Sequence, residues 1–179
     1  MIYVFLANGF EEVEALTPVD VLRRGGVDVK TVGIGGKTVT GSHHIPVTAD
    51  LSEDEVDFAA LSGVVLPGGM PGTKNLDASE TVKKALDAAN EKGALIAAIC
   101  AAPSVLGHNG LLFGKRATCF PGFESELTGA TLCTDLAVTD GNVVTGKGAG
   151  AALPFALALL AYLKGADVAD TVKSALQCE

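Results

Sequence analysis

Short, wholly apolar runs alternate along the chain with longer stretches whose apolar residues recur every third or fourth position, a rhythm that predicts strands and helices by turns. Ile2 to Leu6 is the first run, and Asn8-Gly9-Phe10 breaks it. From Glu11 to Arg24 the spacing predicts a helix, with Val13, Leu16, Val19, Val21 and Leu22 on its buried side and Gly25-Gly26 ending it. Pro18 cannot donate the bond that the Glu14 carbonyl would accept, so the first turn is expected to bend away from the rest. Val27 to Ile34 reads as the second strand. Lys37 to Val47 alternates weakly and carries Gly41, which suits a hairpin or irregular excursion better than a crossover helix.

Asp50 to Asp57 is an acidic surface turn or short helix, and Ser62 to Leu66 another buried strand. A helix over Asn75 to Asn90 would bury Leu76, Val82, Leu86 and Ala89, and it leads to Leu95 to Ile99, apolar enough for the centre of a sheet. Ala101 to His108 is a short helix with Pro103 near its start, stopped by Gly110. Arg116 to Phe120 reads as an edge strand, and Asp140-Gly141-Asn142 as the turn between strands at Leu136 to Thr139 and Val143 to Thr145. Gly146 to Gly150 enters an aliphatic helix ending near Leu163, and Val168 to Leu176 forms the last helix. Buried strands alternating with amphipathic helices specify a three-layer α/β sandwich with a mainly parallel sheet and a site above the strands' carboxyl ends.

With 179 residues, 48% of them hydrophobic, a single domain over residues 1–179 is the simplest organisation. The absence of tryptophan and only 5% aromatics make the core aliphatic and leave few platforms for stacking bases. Lys and Arg number 13 against 21 Asp and Glu, a net charge of −8 without a basic cluster, which argues against nucleic acid and anionic membrane as partners. Met1 to Ala7 has no basic region before it and is followed by acidic residues, so it reads as a strand and not a secretion signal. Leu153 to Leu163 is too short to span a bilayer. Cys100, Cys119, Cys133 and Cys178 form no close pair and no ligand spacing, which fits a reducing cytoplasm.

Cys100 falls at the turn between the Leu95 to Ile99 strand and the helix that Pro103 helps to start. A side chain held there projects over the strand's carboxyl end beside free helix N–H groups, which stabilise an anion and can lower a thiol's pKa. The pattern alone equally allows a small buried residue. Pro67-Gly68-Gly69-Met70-Pro71-Gly72 matches neither the Gly-x4-Gly-Lys-Ser/Thr nor the dinucleotide glycine pattern, so it suits a wall and N–H donor beside Cys100 better than a phosphate cradle. Glu14, flanked by Val13, Ala15 and Leu16, is either a carboxyl buried at the end of the first strand or a solvated face residue. Glu11 and Glu12 are accounted for by the helix dipole. His43 and His44 point apart on a strand with no carboxylate at ligand spacing, so no metal site is expected. His108, about two turns beyond Cys100, is a poor base for the thiol and reads as a surface or helix-end residue.

Gly9-Phe-Glu-Glu-Val-Glu14, Pro18-Val-Asp-Val-Leu-Arg-Arg-Gly25, Leu66-Pro-Gly-Gly69 and Ala97-Ala-Ile-Cys-Ala-Ala-Pro103, with Gly148-Ala-Gly150 further on, together resemble the ThiJ/PfpI superfamily. The branch is that of the Parkinson-associated deglycase and its bacterial relatives, and the resemblance covers essentially the whole chain. It implies a flavodoxin-like fold, similar to class I glutamine amidotransferases, with Cys100 as the reactive cysteine at a strained nucleophile elbow. Glu14 then resembles the protonated carboxyl in contact with that cysteine, and Gly69 and Ala101 the backbone donors of the oxyanion site. The resemblance further implies a small 2-oxoaldehyde or its adducts as substrate, no metal or nucleotide cofactor, and a homodimer with Asp20 and Arg24 in its dimer-forming helix. Phe120 stands where the human-type pattern has histidine, and His43 where it has arginine, which leaves more of the acid/base work to Glu14. Alternatives are a redox-sensing or chaperone-like stress protein using Cys100 oxidation, and an amidase or peptidase. Against the latter, Ala101 fills the place where peptidases of the superfamily carry histidine. The thiamine role suggested by the ThiJ label finds no thiazole-phosphate site here.

Overall fold

In the computed structural model, which describes residues 1–178, strand β1 (Ile2–Leu6) is buried along its whole length and leads into α1 (Glu12–Arg24) and β2 (Val29–Gly33). An antiparallel hairpin, β3 (Thr38–Thr40) and β4 (Pro46–Thr48), stands apart from the main sheet, and β5 (Leu51–Ser52) pairs with β2 at its edge. Next come β6 (Gly63–Leu66), α2 (Gly72–Asp77), α3 (Glu80–Glu91), β7 (Leu95–Ile99) and α4 (Pro103–His108). A small pair, β8 (Arg116–Ala117) and β9 (Thr131–Leu132), precedes the hairpin of β10 (Ala137–Asp140) and β11 (Val143–Gly146). Helices α5 (Ala152–Lys164) and α6 (Ala166–Ala175) follow.

The main sheet runs β10-β11-β7-β6-β1-β2-β5, with β10 its one antiparallel member. Because side chains alternate across a strand, each strand feeds two cores. Tyr3, Phe5, Val64, Leu66 and Ile96 meet α3 and α4 on one face, through Val82, Leu86, Val105 and Leu106. Val4, Leu6, Val65, Ala97 and Ile99 meet α1 and α5 on the other, through Val19, Leu22, Phe155 and Leu159. The register of β6 on β7, from Gly63 opposite Leu95 to Leu66 opposite Ala98, brings the loop after β6 beside the turn after β7.

Three expectations change. The helix over Asn75 to Asn90 is two helices, because Ser79 accepts the Val82 N–H at 3.3 Å and caps a new start. The edge strand at Arg116 to Phe120 is only two residues long, since the chain then turns so that the Phe120 N–H donates to the Cys100 carbonyl. The buried stripe of α1 passes through Glu14, Ala15, Pro18, Val19, Val21 and Leu22. Val13 and Leu16 fall off that stripe and are 50% and 37% exposed. No helix among the described residues is long and apolar enough to cross a membrane.

Phe155 is fully buried and lies against the position where a Gly146 side chain would begin, as does Ile99. Phe155→Ala should therefore lower stability by about 3–5 kcal/mol in urea unfolding. An unchanged midpoint would contradict this placement of the core.

Candidate functional site

Cys100 has φ +66°, in the left-handed region that side chains other than glycine's seldom occupy. Its backbone is held from both sides, the N–H donating to the Gly146 carbonyl at 2.9 Å and the carbonyl accepting from the Phe120 N–H at 2.8 Å. Those bonds come from β11 and from the loop after β8, and they keep the strained elbow in place. The backbone N–H groups of Ala101 and Gly69 face the thiol and pull its pKa down.

Glu14 lies across Gly68 from the thiol. A Cβ on Gly68 would sit 2.6 Å from Glu14 Oε2 and 2.7 Å from the Cys100 Cβ, so only glycine lets the two side chains meet. Glu14 is fully buried, and its Oε2 accepts the Gly68 N–H at 2.9 Å. Its Oε1 is buried without a hydrogen-bond partner, and the carboxyl and the Cys100 thiol are close enough for each to shift the other's titration. A proton on that oxygen, donated to sulfur, satisfies a group that would otherwise be an orphan.

Burial pushes Glu14 up to about 7 against the hydrogen bonds from Cys100 and Gly68, with Glu11 adding to the rise. Burial also pushes the Cys100 thiol up, an ionised Glu14 pushes it further, and the Ala101 and Gly69 N–H groups pull it down. The expected lowering of the thiol by a helix start is thus corrected, because desolvation outweighs the backbone donors. Below about pH 7 both groups hold a proton, above it the pair keeps one, and the two titrate as a coupled pair.

Residues 1–162 match the DJ-1/PfpI family. The chain belongs to that family. It is 38% identical to the Parkinson disease protein 7 homolog of Danio rerio over 97% of this chain and 94% of the relative. It is 30% identical to the glutathione-independent glyoxalase DJR-1.2 of Caenorhabditis elegans, over 90% of this chain and 87% of that one. A cysteine-to-alanine mutant of a DJ-1 superfamily protein from Salmonella typhimurium superposes with a TM-score of 0.94 at 36% identity, covering 99% of this chain and 98% of that one.

In this DJ-1/PfpI chain the Phe120 ring lies on the outer rim, close to Gly148, and brings no base to the thiol. His108 is at a helix end and engaged elsewhere, its two ring nitrogens 3.0 Å from Asp77 and 2.9 Å from Glu126. His43, for which the spacing showed no carboxylate partner, is tied to the start of α1. Its Nδ1 is 2.9 Å from Glu12 Oε2, its backbone N–H donates to Glu12 Oε1 at 2.9 Å, and Ser42 Oγ donates to Glu11 at 3.0 Å. Burial opposes ionisation of Glu12, yet the His43 bonds hold its carboxyl at about 2. Among the described residues, Glu11, Glu12 and His43 place ligand atoms within 4.8 Å of one another and could hold a metal ion. The carboxylates come from α1 and the imidazole from the β3–β4 turn, so ligand spacing along the chain could not reveal this cluster.

Two outcomes test the coupled pair. Alkylation of Cys100 by iodoacetamide should stay slow as pH rises through about 7, because the newly ionised Glu14 disfavours the thiolate, and Glu14→Gln should remove that repulsion and speed alkylation above pH 7; a profile unchanged by Glu14→Gln would contradict the coupling. Stability should fall as pH rises from the ordinary carboxyl value, 4.5, to about 7, because the folded state holds a proton there that the unfolded state has lost. Glu14→Gln should flatten that fall in urea unfolding at pH 5 and pH 8.

Proposed function

We propose that this protein is a cofactor-independent glyoxalase- or deglycase-type enzyme acting on small 2-oxoaldehydes such as methylglyoxal or their adducts. The observation that carries the reading is a strained cysteine elbow facing a buried carboxyl that keeps its proton until about pH 7. The name of the Caenorhabditis elegans relative, a glutathione-independent glyoxalase, supports the same chemistry.

Cys100 Sγ adds to the aldehyde carbon while the shared proton moves through Glu14 to the new alkoxide, and the Gly69 and Ala101 N–H groups steady that oxygen. The product is a hemithioacetal. Glu14 then takes the proton from the former aldehyde carbon and returns one to the neighbouring carbon, while the adjacent carbonyl becomes a hydroxyl. The resulting thioester is cleaved by water, which releases a 2-hydroxy acid and restores the thiol. The net change adds one water, with one carbon oxidised and its neighbour reduced, so no outside oxidant enters.

A second reading, stress sensing by oxidation of Cys100, is favoured by the same donors: the Gly69 and Ala101 N–H groups and a protonated Glu14 would hold a sulfinate as well as an oxyanion. The free cysteines suit a reducing cytoplasm. A homodimer is proposed through α1, where exposed Val13 and Leu16 lie near the Asp20–Arg24 ion pair.

Methylglyoxal supplied without glutathione or metal should yield lactate. Cys100→Ser should abolish this, and Glu14→Gln should slow it roughly 10²–10⁴-fold. Lactate formation surviving Cys100→Ser would sink the mechanism. Absence of turnover in reduced wild type, with selective peroxide oxidation of Cys100, would favour the sensing role. Sedimentation at low micromolar concentration showing only an 18.1 kDa species would reject the dimer.

A further inference from the structure

Near the Cys100 elbow lies a cleft of about 340 Å³, bounded by α2, by Ser104 and His108 of α4, and by the segment from Gly122 to Glu126. Each wall is one hydrogen bond away from a residue that frames the thiol. The Thr73 N–H donates to the Gly69 carbonyl at 2.9 Å, and the Phe123 N–H to the Phe120 carbonyl at 3.1 Å. Ser104 Oγ donates to the Ala101 carbonyl at 2.7 Å. Cys100 does not itself line the cleft, and three hydrogen bonds tie the cleft's walls to the residues around the thiol. The volume falls in the range of roughly 300–1,000 Å³ typical of pockets for whole organic ligands, so a three-carbon aldehyde on Cys100 leaves room beside it.

The lining specifies the occupant's chemistry. Met70 and Phe123 offer apolar surface. Thr73, only 3% exposed, carries a hydroxyl with no hydrogen-bond partner, a buried orphan that a ligand's polar group would satisfy. Asp77 and Glu126, held in place by His108 between them, keep oxygen lone pairs free to accept further bonds. With Lys74 and a protonated His108 against Asp77 and Glu126, the charges of the lining balance, which favours an uncharged ligand over an ion. Apolar surface on one side with hydroxyl and carboxylate groups on the other matches a chain of carbinol carbons.

We propose that this cleft is a subsite for the hydroxylated tail of sugar-derived, six-carbon 2-oxoaldehydes whose aldehyde end reaches Cys100. The proposal rests on the reading of Cys100 as an aldehyde nucleophile. The reaction is unchanged by the longer tail, water and the six-carbon aldehyde giving a 3-deoxyhexonic acid.

Binding and turnover are separable. Titration of 15N-labelled Cys100→Ser protein with 3-deoxyglucitol, which has no aldehyde, should give saturable NMR shifts at Thr73, Ser104, Phe123 and His108. Thr73→Val should weaken that binding about five- to tenfold, and Thr73→Ser should restore it. In the otherwise unaltered enzyme, the ratio of kcat/KM for 3-deoxyglucosone over methylglyoxal should fall by the same factor in Thr73→Val. No saturable shift at the cleft overturns the subsite. Turnover of methylglyoxal without turnover of 3-deoxyglucosone overturns it too and leaves the Cys100 reading standing. Polyol binding with turnover of neither aldehyde overturns the Cys100 reading, and with it the oxoaldehyde as occupant.

Discussion

Glu14 and Cys100 meet over a glycine that has no space for a side chain, and both lie where burial disfavours a charge. They cannot ionise together at neutral pH without a large desolvation and repulsion cost, so one proton stays between them. That constraint explains the surroundings. Helix α1 has to begin within a short loop of β1 for Glu14 to reach across the sheet end, β6 has to lie beside β7, and the loop after β6 has to be glycine at Gly68 for the carboxyl and the thiol to meet. The left-handed elbow at Cys100 supplies the last requirement, an exit from β7 that turns the thiol toward the carboxyl instead of into the core.

Two further titratable ties brace this arrangement. Glu12 fastens the β3–β4 turn to the first turn of α1, and His108 fastens the end of α2 to Glu126. Hydrogen bonding to Glu12 raises the pKa of His43, and hydrogen bonding to Glu126, against burial, raises that of His108. Raised histidines stabilise the fold below their unfolded value, 6.5, and that contribution is lost as pH climbs through the folded values. Glu12, held at about 2, contributes above 4.5 and loses its share only in strong acid. The Glu14 loss falls between 4.5 and about 7, whereas those of both histidine ties begin only above 6.5.

Much of this was readable from the chain because its causes are local. The boundaries of β1 and β7 coincide with the apolar runs at Ile2 to Leu6 and Leu95 to Ile99, and the turn at Asp140-Gly141-Asn142 joins the predicted hairpin. The elbow and the burial of Glu14 agree with what the family resemblance implied. What stayed hidden depends on contacts far apart in sequence. Glu12 and His43 are 31 positions apart, and only the docking of the hairpin on α1 shows that this carboxylate anchors a turn. Periodicity marked Val13 and Leu16 as apolar without saying that the sheet side of α1 is taken by Glu14 and Pro18. The thiol's upward shift reflects desolvation summed over the whole site, which the helix start after Cys100 cannot report.

The shared proton is open to direct observation by infrared difference spectroscopy on 13C-glutamate-labelled protein, comparing wild type with Glu14→Gln across pH 5 to 9. The account predicts one protonated carboxyl band belonging to Glu14 at pH 5, lost around pH 7 and absent from Glu14→Gln at every pH. A Glu14 already fully ionised at pH 5 would contradict it.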